Sequence, residues 1–137
     1  MLKSVDAKEY MTDQPVTVKP DTDIFKAIKV LSDHKISGAT VVDDENNVVG
    51  VISEFDCLKA ILSGSYYNEV GGTVGDFMTR DVESIDNNLD IIEVAKQMLA
   101  TKRRRFPVVE DGKFVGQLSV RSILKAVKNF DIPSNKP

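Results

Sequence analysis

Residues 50–56 read GVISEFD, and residues 116–122 read GQLSVRS. Each stretch begins with a glycine, continues through residues typical of a strand, and reaches a serine that can begin a helix. The offset of 66 residues between the two stretches indicates an internal repeat. A repeat of this length decides the architecture, because each copy is one structural unit that packs with its neighbour.

The similarity continues on both sides of this stretch. Residues 10–12 (YMT) recur as residues 77–79 (FMT), a shift of 67, and the same shift places 41–42 on 108–109. After an acidic turn the shift falls to 66, so the copies differ by one residue in a loop, where changes of length are tolerated best.

Each copy predicts the order β-α-β-β-α. In the first copy we predict strands at 16–18, 39–42 and 48–52, a helix capped by Asp21, and a second helix over 53–62. The apolar residues of the first helix follow the i, i+3, i+4, i+7 spacing of one buried face, at positions 24, 27, 28 and 31. The second copy predicts strands at 82–85, 106–109 and 114–118, with helices from about Asn88 and from Ser119. The predicted fold class is α+β.

These patterns divide the chain into a first repeat at 8–62, a linker at 63–74, a second repeat at 75–128 and a flexible tail at 129–137. A unit of about 60 residues is marginally stable alone. We therefore expect the two repeats to bury a sheet face against each other.

Composition narrows the function. The 137 residues are 42% hydrophobic and 28% charged, as in an ordinary globular protein, and neither a membrane-spanning run nor a leader sequence is visible. We expect a cytoplasmic protein with no membrane partner. The net charge of −3 argues against broad nucleic-acid binding. Charge is unevenly divided, because residues 8–62 hold six basic and ten acidic residues (−4) whereas residues 75–128 hold ten and eight (+2), so we expect an anion to bind in the second half.

The sequence contains one cysteine, Cys57, and one histidine, His34. A disulfide within the chain is therefore excluded, and we expect no metal site. Cys57 follows the periodicity of a buried helix face, where free cysteines are common. No nucleophile stands beside a matched base and no glycine-rich phosphate loop is present, so we expect no enzymatic activity.

Three motifs resemble the cystathionine-β-synthase-type (CBS) domains, which occur in pairs in inosine monophosphate dehydrogenase, chloride channels and the γ subunit of AMP-activated protein kinase. The motifs are Met-Thr at 11–12 and 78–79, Arg-Phe-Pro-Val-Val at 105–109, and Gly-x-x-Ser-x-x-Asp at 50–56. The resemblance implies tandem CBS repeats packed about a pseudo-twofold axis, as in a stand-alone Bateman module. It also implies two clefts that can hold nucleotides, and a homodimer of such pairs.

In the main cleft, the resemblance implies that Asp56 binds the ribose hydroxyls and that Ser53 lies near ribose or phosphate. It places the opposite wall in the second repeat, at Met78, Thr79, Asp81, Val82, Glu83, Arg103, Arg104, Arg105, Phe106 and Pro107. A carboxylate can accept two hydrogen bonds from a cis-diol, and guanidinium groups match phosphate oxygens. The start of the helix at Ser53 would add backbone N–H donors for an oxyanion.

The second cleft departs from the family pattern, because Ser122 replaces the aspartate and no arginine lies opposite. Its candidate residues are Thr17, Ile36, Ser37, Thr40, Ser119, Arg121 and Ser122. We therefore expect about one tightly bound nucleotide per chain.

Other interpretations stay open. Ser53 and Asp56 also have the spacing of a helix capping box, and residues 102–105 also suit a solvated helix end. The leading hypothesis is a regulatory module that binds AMP, ADP or ATP and acts on a separate effector protein. The alternatives are a ligand-free structural or dimerisation module and, less favoured, nucleic-acid binding through residues 102–105.

Overall fold

The computed structural model describes residues 6–12, 15–66 and 71–128, without the side chains of 64–66. After a short 3-10 helix (Ala7–Glu9), the elements are β1 (Thr17–Val18), α1 (Ile24–His34), β2 (Gly38–Val42), β3 (Val48–Ser53), α2 (Glu54–Tyr66), α3 (Val74–Phe77), β4 (Ile85–Asp86), α4 (Ile91–Thr101), β5 (Arg105–Glu110), β6 (Lys113–Ser119) and α5 (Val120–Lys128). The predicted α+β class and the duplicated β-α-β-β-α order are confirmed. The predicted tail 129–137 and residues 67–70 of the predicted linker lie outside the described residues.

The described chain divides into two compact units. The first unit contains residues 15–83 with 112–114, and the second contains residues 84–111 and 115–128 together with the segment 6–12. The copies seen in the sequence and the units seen in space are therefore offset. The segment that begins each copy packs with the strands of the other copy.

The first unit is built on a three-stranded sheet in which β2 lies between β1 and β3. β1 runs parallel to β2, with Thr17 opposite Thr40, and β3 runs antiparallel to β2. Helix α1 buries one face, and α2 adds Cys57 and Ala60. The core consists of Val18, Ile24, Ala27, Leu31, Ala39, Val41, Ile52, Cys57, Ala60, Val74 and Met78. The predicted burial of Cys57 is confirmed.

The second unit repeats this plan with the sheet order β4-β5-β6, in which β4 is parallel to β5. Among the described residues that are fully buried in its core, Ala7 comes from the start of the chain and the rest come from the second copy. The buried residues are Ala7, Ile85, Ile91, Val94, Met98, Phe106, Val108, Leu118, Ile123 and Ala126.

The helix boundaries differ from the prediction at their starts. Asp23, and not Asp21, is the cap of α1, since its carboxylate accepts the N–H of Phe25 at 2.8 Å. Asp90 plays the same part for α4, with a 2.8 Å bond, so α4 begins after the predicted Asn88. In both cases the aspartate immediately before the first buried isoleucine satisfies an otherwise unpaired backbone donor. Helix α2 also continues beyond the predicted end at residue 62, to Tyr66.

Neither a membrane-spanning helix nor a group of metal ligands is present in the described ranges. None of the helices there has the length and hydropathy needed to cross a bilayer. Within the same ranges, no three histidine, cysteine, aspartate or glutamate side chains are grouped closely enough to hold a metal ion.

Candidate functional site

The junction between β3 and α2 carries the best-formed polar cluster of the first unit. Ser53 ends the strand and Asp56 lies in the first turn of the helix. The Ser53 N–H donates to Asp56 Oδ2 at 3.0 Å, and the Asp56 N–H donates to Ser53 Oγ at 3.1 Å. This reciprocal arrangement is a capping box, so the capping interpretation of the motif is confirmed.

Asp56 is a buried carboxylate, and a buried carboxylate needs good hydrogen-bond partners. Only 6% of its surface is exposed, and desolvating an ionised group is costly unless hydrogen bonds replace water. Beside the Ser53 N–H, the hydroxyl of Thr79 donates to Asp56 Oδ2 at 3.4 Å. The side chain is thus held in place within the first unit.

Thr79 reaches Asp56 because its backbone is paired with strand β3. The N–H of Val51 donates to the Thr79 carbonyl and the N–H of Thr79 donates to the Val51 carbonyl, each at 2.9 Å. The preceding residue, Met78, is 8% exposed and lies in the core. The structure therefore brings Ser53, Asp56, Met78 and Thr79 together, four residues that the resemblance had assigned to two opposite walls.

Sequence reasoning missed the part that Gly50 plays in this cluster. A Cβ atom built on Gly50 would lie 2.8 Å from Met78 Sδ and 2.8 Å from the Thr79 carbonyl oxygen. No side chain fits at that distance, so the glycine permits the close approach of the Met-Thr segment. The signal was present in the sequence, because both Gly50 and the Met-Thr pair recur in the second copy.

The charges at this helix start favour a hydrogen-bond donor over an anion. Glu54 and Asp56 both lie in the first turn of α2, where carboxylates already complement the positive end of the helix dipole. The remaining predicted residues of this unit follow Thr79 along the chain. Val82 is half-buried, whereas Asp81 and Glu83 are exposed.

The arginine run belongs to the second unit. Arg103 is half-buried, and Arg104 and Arg105 are exposed. Arg105 is the first residue of β5, one residue before the predicted start of that strand. Phe106 has no exposed surface and Pro107 is buried, so these two side chains are packed in the interior of the unit. Lys102 is the left-handed residue that ends α4, with φ of 58°, which confirms the helix-end interpretation for that position.

The predicted second cleft has a different chemistry. The Ser122 N–H donates to Ser119 Oγ at 3.2 Å, and the two hydroxyl oxygens lie 3.0 Å apart. Only half of a capping box is present, and no acidic residue lies in the first turn of α5. Arg121 is exposed. Of the residues assigned to this cleft in the first unit, Ser37 is exposed, Thr17 and Ile36 are half-buried and Thr40 is buried.

The Met-Thr arrangement itself is present in both units. Thr12 pairs with Gln117 as Thr79 pairs with Val51, through backbone hydrogen bonds of 2.8 and 3.3 Å. A Cβ on Gly116 would lie 2.6 Å from Met11 Sδ. The two junctions therefore have the same backbone arrangement. They differ in the residue at the third helical position, which is Asp56 in one and Ser122 in the other.

Comparison with known proteins gives two matches of the CBS domain, over residues 7–63 and 74–129. The crystal structure of CBSX2 from Arabidopsis thaliana in complex with AMP is 30% identical, with a TM-score of 0.78 over 90% of this chain and 96% of that chain. The CBS domain pair of protein MJ0100, in complex with 5′-methylthioadenosine and S-adenosyl-L-methionine, is 25% identical, with a TM-score of 0.74 over 92% of this chain and 98% of that one.

Protein MJ1225 of Methanocaldococcus jannaschii is 33% identical over 118 residues, which are 86% of this chain. The matched region is 41% of that protein, so the chain spans less than half of its length. The two family matches coincide with the duplicated elements described above, and together they cover most of the sequence. The chain belongs to the CBS domain family and carries two copies of the domain.

Proposed function

We propose that this chain is a regulatory module that binds an adenosine-containing nucleotide, such as AMP, ADP or ATP, and passes that signal to a separate partner protein without catalysing a reaction. The observation that carries the proposal is the buried, pre-positioned carboxylate of Asp56. Two relatives support the choice of ligand, since CBSX2 was crystallised with AMP and the MJ0100 pair with two adenosine derivatives.

Asp56 suits the sugar of such a ligand. A carboxylate accepts hydrogen bonds and donates none, so its partner must bring donors. The two neighbouring hydroxyls of a ribose are donors in the right arrangement, whereas a phosphate would be repelled by Asp56 and Glu54. We therefore assign the ribose to Asp56 and Ser53, with the exposed Thr79 beside them.

The family resemblance, and not the geometry within either unit, assigns the phosphate to the arginine run. Arg103, Arg104 and Arg105 offer planar guanidinium groups that can bind phosphate oxygens through two hydrogen bonds. Arg105 stands first among them, since the resemblance to nucleotide-sensing members of the family favours the position next to Phe106 and Pro107. The base would lie along the segment from Met78 to Glu83. Because Ser122 lacks a carboxylate, we propose one tight site per chain.

Calorimetric titration with AMP, ADP and ATP tests this proposal. We expect a stoichiometry near one per chain, and a free energy of unfolding raised by about 2.7 kcal/mol at a ligand concentration of 100 times the dissociation constant. Asp56→Ala should abolish binding, while Asp21→Ala, which removes an exposed carboxylate of the same unit, should not. Absence of binding by all three nucleotides, or two equal sites, would contradict the proposal.

A second candidate function, assembly, is favoured by the exposed face of α2. Phe55 is 76% exposed, Leu58 50% and Leu62 62%, and their spacing of three and four residues places them along one side of the helix. In the second unit, Val120 and Leu124 of α5 are exposed as well. A row of exposed apolar side chains on one helix is typical of an interaction site, so we propose that the chain forms homodimers.

Sedimentation of the purified chain tests the assembly function separately. We expect a dimer that Leu58→Glu together with Leu62→Glu converts to a monomer, because two charges cannot be buried without partners. Lys59→Glu, at an exposed position of the same helix, serves as the control. A monomeric wild-type chain would exclude assembly through this face and would leave the nucleotide proposal to stand on the titration.

A further inference from the structure

The two oxygens of Asp56 have different surroundings. Oδ2 accepts from the Ser53 N–H at 3.0 Å and from the Thr79 hydroxyl at 3.4 Å, whereas among the described residues none donates to Oδ1. In the same part of the chain, every side-chain oxygen or nitrogen that is sealed from solvent has a hydrogen-bond partner. Oδ1 has no such partner and is therefore open to solvent, although the residue as a whole is 94% buried.

The partners of Oδ2 are fixed by the backbone. Ser53 is held at the end of β3, and Thr79 is held by its two hydrogen bonds to Val51. Met78 is buried and packs against Gly50, so it anchors the segment beside the strand. A hydroxyl carried on such a fixed segment can restrict the rotation of the Asp56 carboxylate about its last bond.

We propose that Thr79 is a positioning residue, which together with the Ser53 N–H holds Oδ2 of Asp56 and so presents Oδ1 alone to the ligand. This inference rests on the proposed nucleotide function. Its chemical consequence is that one oxygen, with two lone pairs, receives both ribose hydroxyls. A rotated carboxylate would lose one of these bonds or the cap of α2, so the position of Asp56 sets the discrimination between ribose and 2′-deoxyribose.

The second unit supplies a matched control. Thr12 makes the same backbone pair, with Gln117, but the third residue of the following helix there is Ser122 and carries no carboxylate. Thr12→Val therefore removes the same hydroxyl from the same backbone setting. It leaves the surroundings of Asp56 as they are.

The experiment is a titration of four chains, wild type, Thr79→Val, Thr79→Ser and Thr12→Val, with AMP and with 2′-deoxy-AMP. For Thr79→Val we expect AMP binding weakened about two- to fivefold, less than a full hydrogen bond because the oxygens lie 3.4 Å apart, and a smaller ratio between the two ligands. Thr79→Ser keeps the hydroxyl and should restore both values, and Thr12→Val should match the wild type. The ratio is the decisive readout, because a merely structural change would weaken both ligands alike.

Asp56→Asn provides a measurement that does not depend on Thr79. The amide oxygen can still accept from the Ser53 N–H, which turns the NH2 group toward the ligand, where donor faces donor. We expect a melting temperature close to the wild type and AMP binding reduced at least about a hundredfold.

Each outcome separates the two proposals. If Thr79→Val keeps both the affinity and the ratio of the wild type, or if Asp56→Asn binds AMP normally, the positioning role is overturned while the nucleotide function stands. If the wild type itself binds no adenine nucleotide, the proposed function fails and the positioning role fails with it.

Discussion

Val51 and Thr79 form a reciprocal pair of backbone hydrogen bonds, in which each N–H donates to the carbonyl oxygen of the other residue at 2.9 Å. The two residues belong to different copies of the sequence repeat and to one compact unit. This pair places the start of the second copy on the edge of the first sheet, next to Asp56. The stability of the first unit should therefore depend on the close approach at this edge.

Gly50→Ala tests that dependence. Its Cβ would lie 2.8 Å from the Thr79 carbonyl oxygen, so either the strand or the Met-Thr segment must move. We expect a free energy of unfolding lower by about 1–3 kcal/mol, the usual cost of overpacking, measured by urea denaturation. Gly71→Ala is the control, because a Cβ there meets no atom within 4 Å. Equal stability of the two variants would show that the edge is loose.

Asp23→Ala should destabilise the first unit through α1. The carboxylate of Asp23 caps the helix at 2.8 Å, and loss of such a cap costs about 1 kcal/mol. Thermal denaturation followed by circular dichroism measures the change. Asp21→Ala removes another exposed carboxylate two residues earlier and should have a small effect. The reverse order of effects would restore Asp21 as the cap.

Ser122→Asp should stabilise α5. The new carboxylate can accept the Ser119 N–H, as Asp56 accepts that of Ser53, and it complements a helix start that has no acidic residue. We expect a gain of about 0.5–1 kcal/mol in the free energy of unfolding, measured in urea at low salt. Ser122→Ala, which adds no acceptor, should give no gain. A destabilised Ser122→Asp variant would indicate that the junction of the second unit cannot accommodate a carboxylate.

Cys57 makes the fold sensitive to alkaline pH. Burial, with further contributions from Asp56 and Glu54, raises the pKa of the Cys57 thiol above its ordinary value of 9.0. A raised folded pKa means that the stabilisation is fully present below pH 9 and is lost as the pH rises through the folded value, because the unfolded chain releases its proton first.

Urea denaturation at a series of pH values from 7 to about 10.5 measures this effect. We expect the wild type to lose stability above pH 9 more steeply than Cys57→Ala, in which the thiol is absent. The thiol should also react slowly with aromatic disulfide reagents at neutral pH, since the thiolate is the reactive form. Parallel pH profiles for the two chains would contradict the prediction.

Several features could be read from the sequence with little error. The recurrence of glycine, serine and the Met-Thr pair at a nearly constant offset revealed the duplication. The β-α-β-β-α order followed from patterns of period 2 and 3.6, which are local properties of the chain. The cap of α1 was predicted at Asp21, two residues too early, because the aspartates at 21 and 23 cannot be distinguished until the first helical turn is known. Phe106 could not be recognised as an interior residue, because burial depends on what packs around it.

The sequence by itself determined the duplication, the fold class and the chemical difference between Asp56 and Ser122, because all three depend on residue type and spacing alone. Only the tertiary structure decided that each Met-Thr segment pairs with the strands of the other copy, and that Thr79 therefore contacts Asp56. Asp56 and Thr79, 23 positions apart, come together through backbone pairing and a glycine contact. These are non-local interactions, which sequence periodicity cannot predict. That pairing is the reason why Oδ2 of Asp56 is hydrogen-bonded within the unit while Oδ1 stays open to solvent.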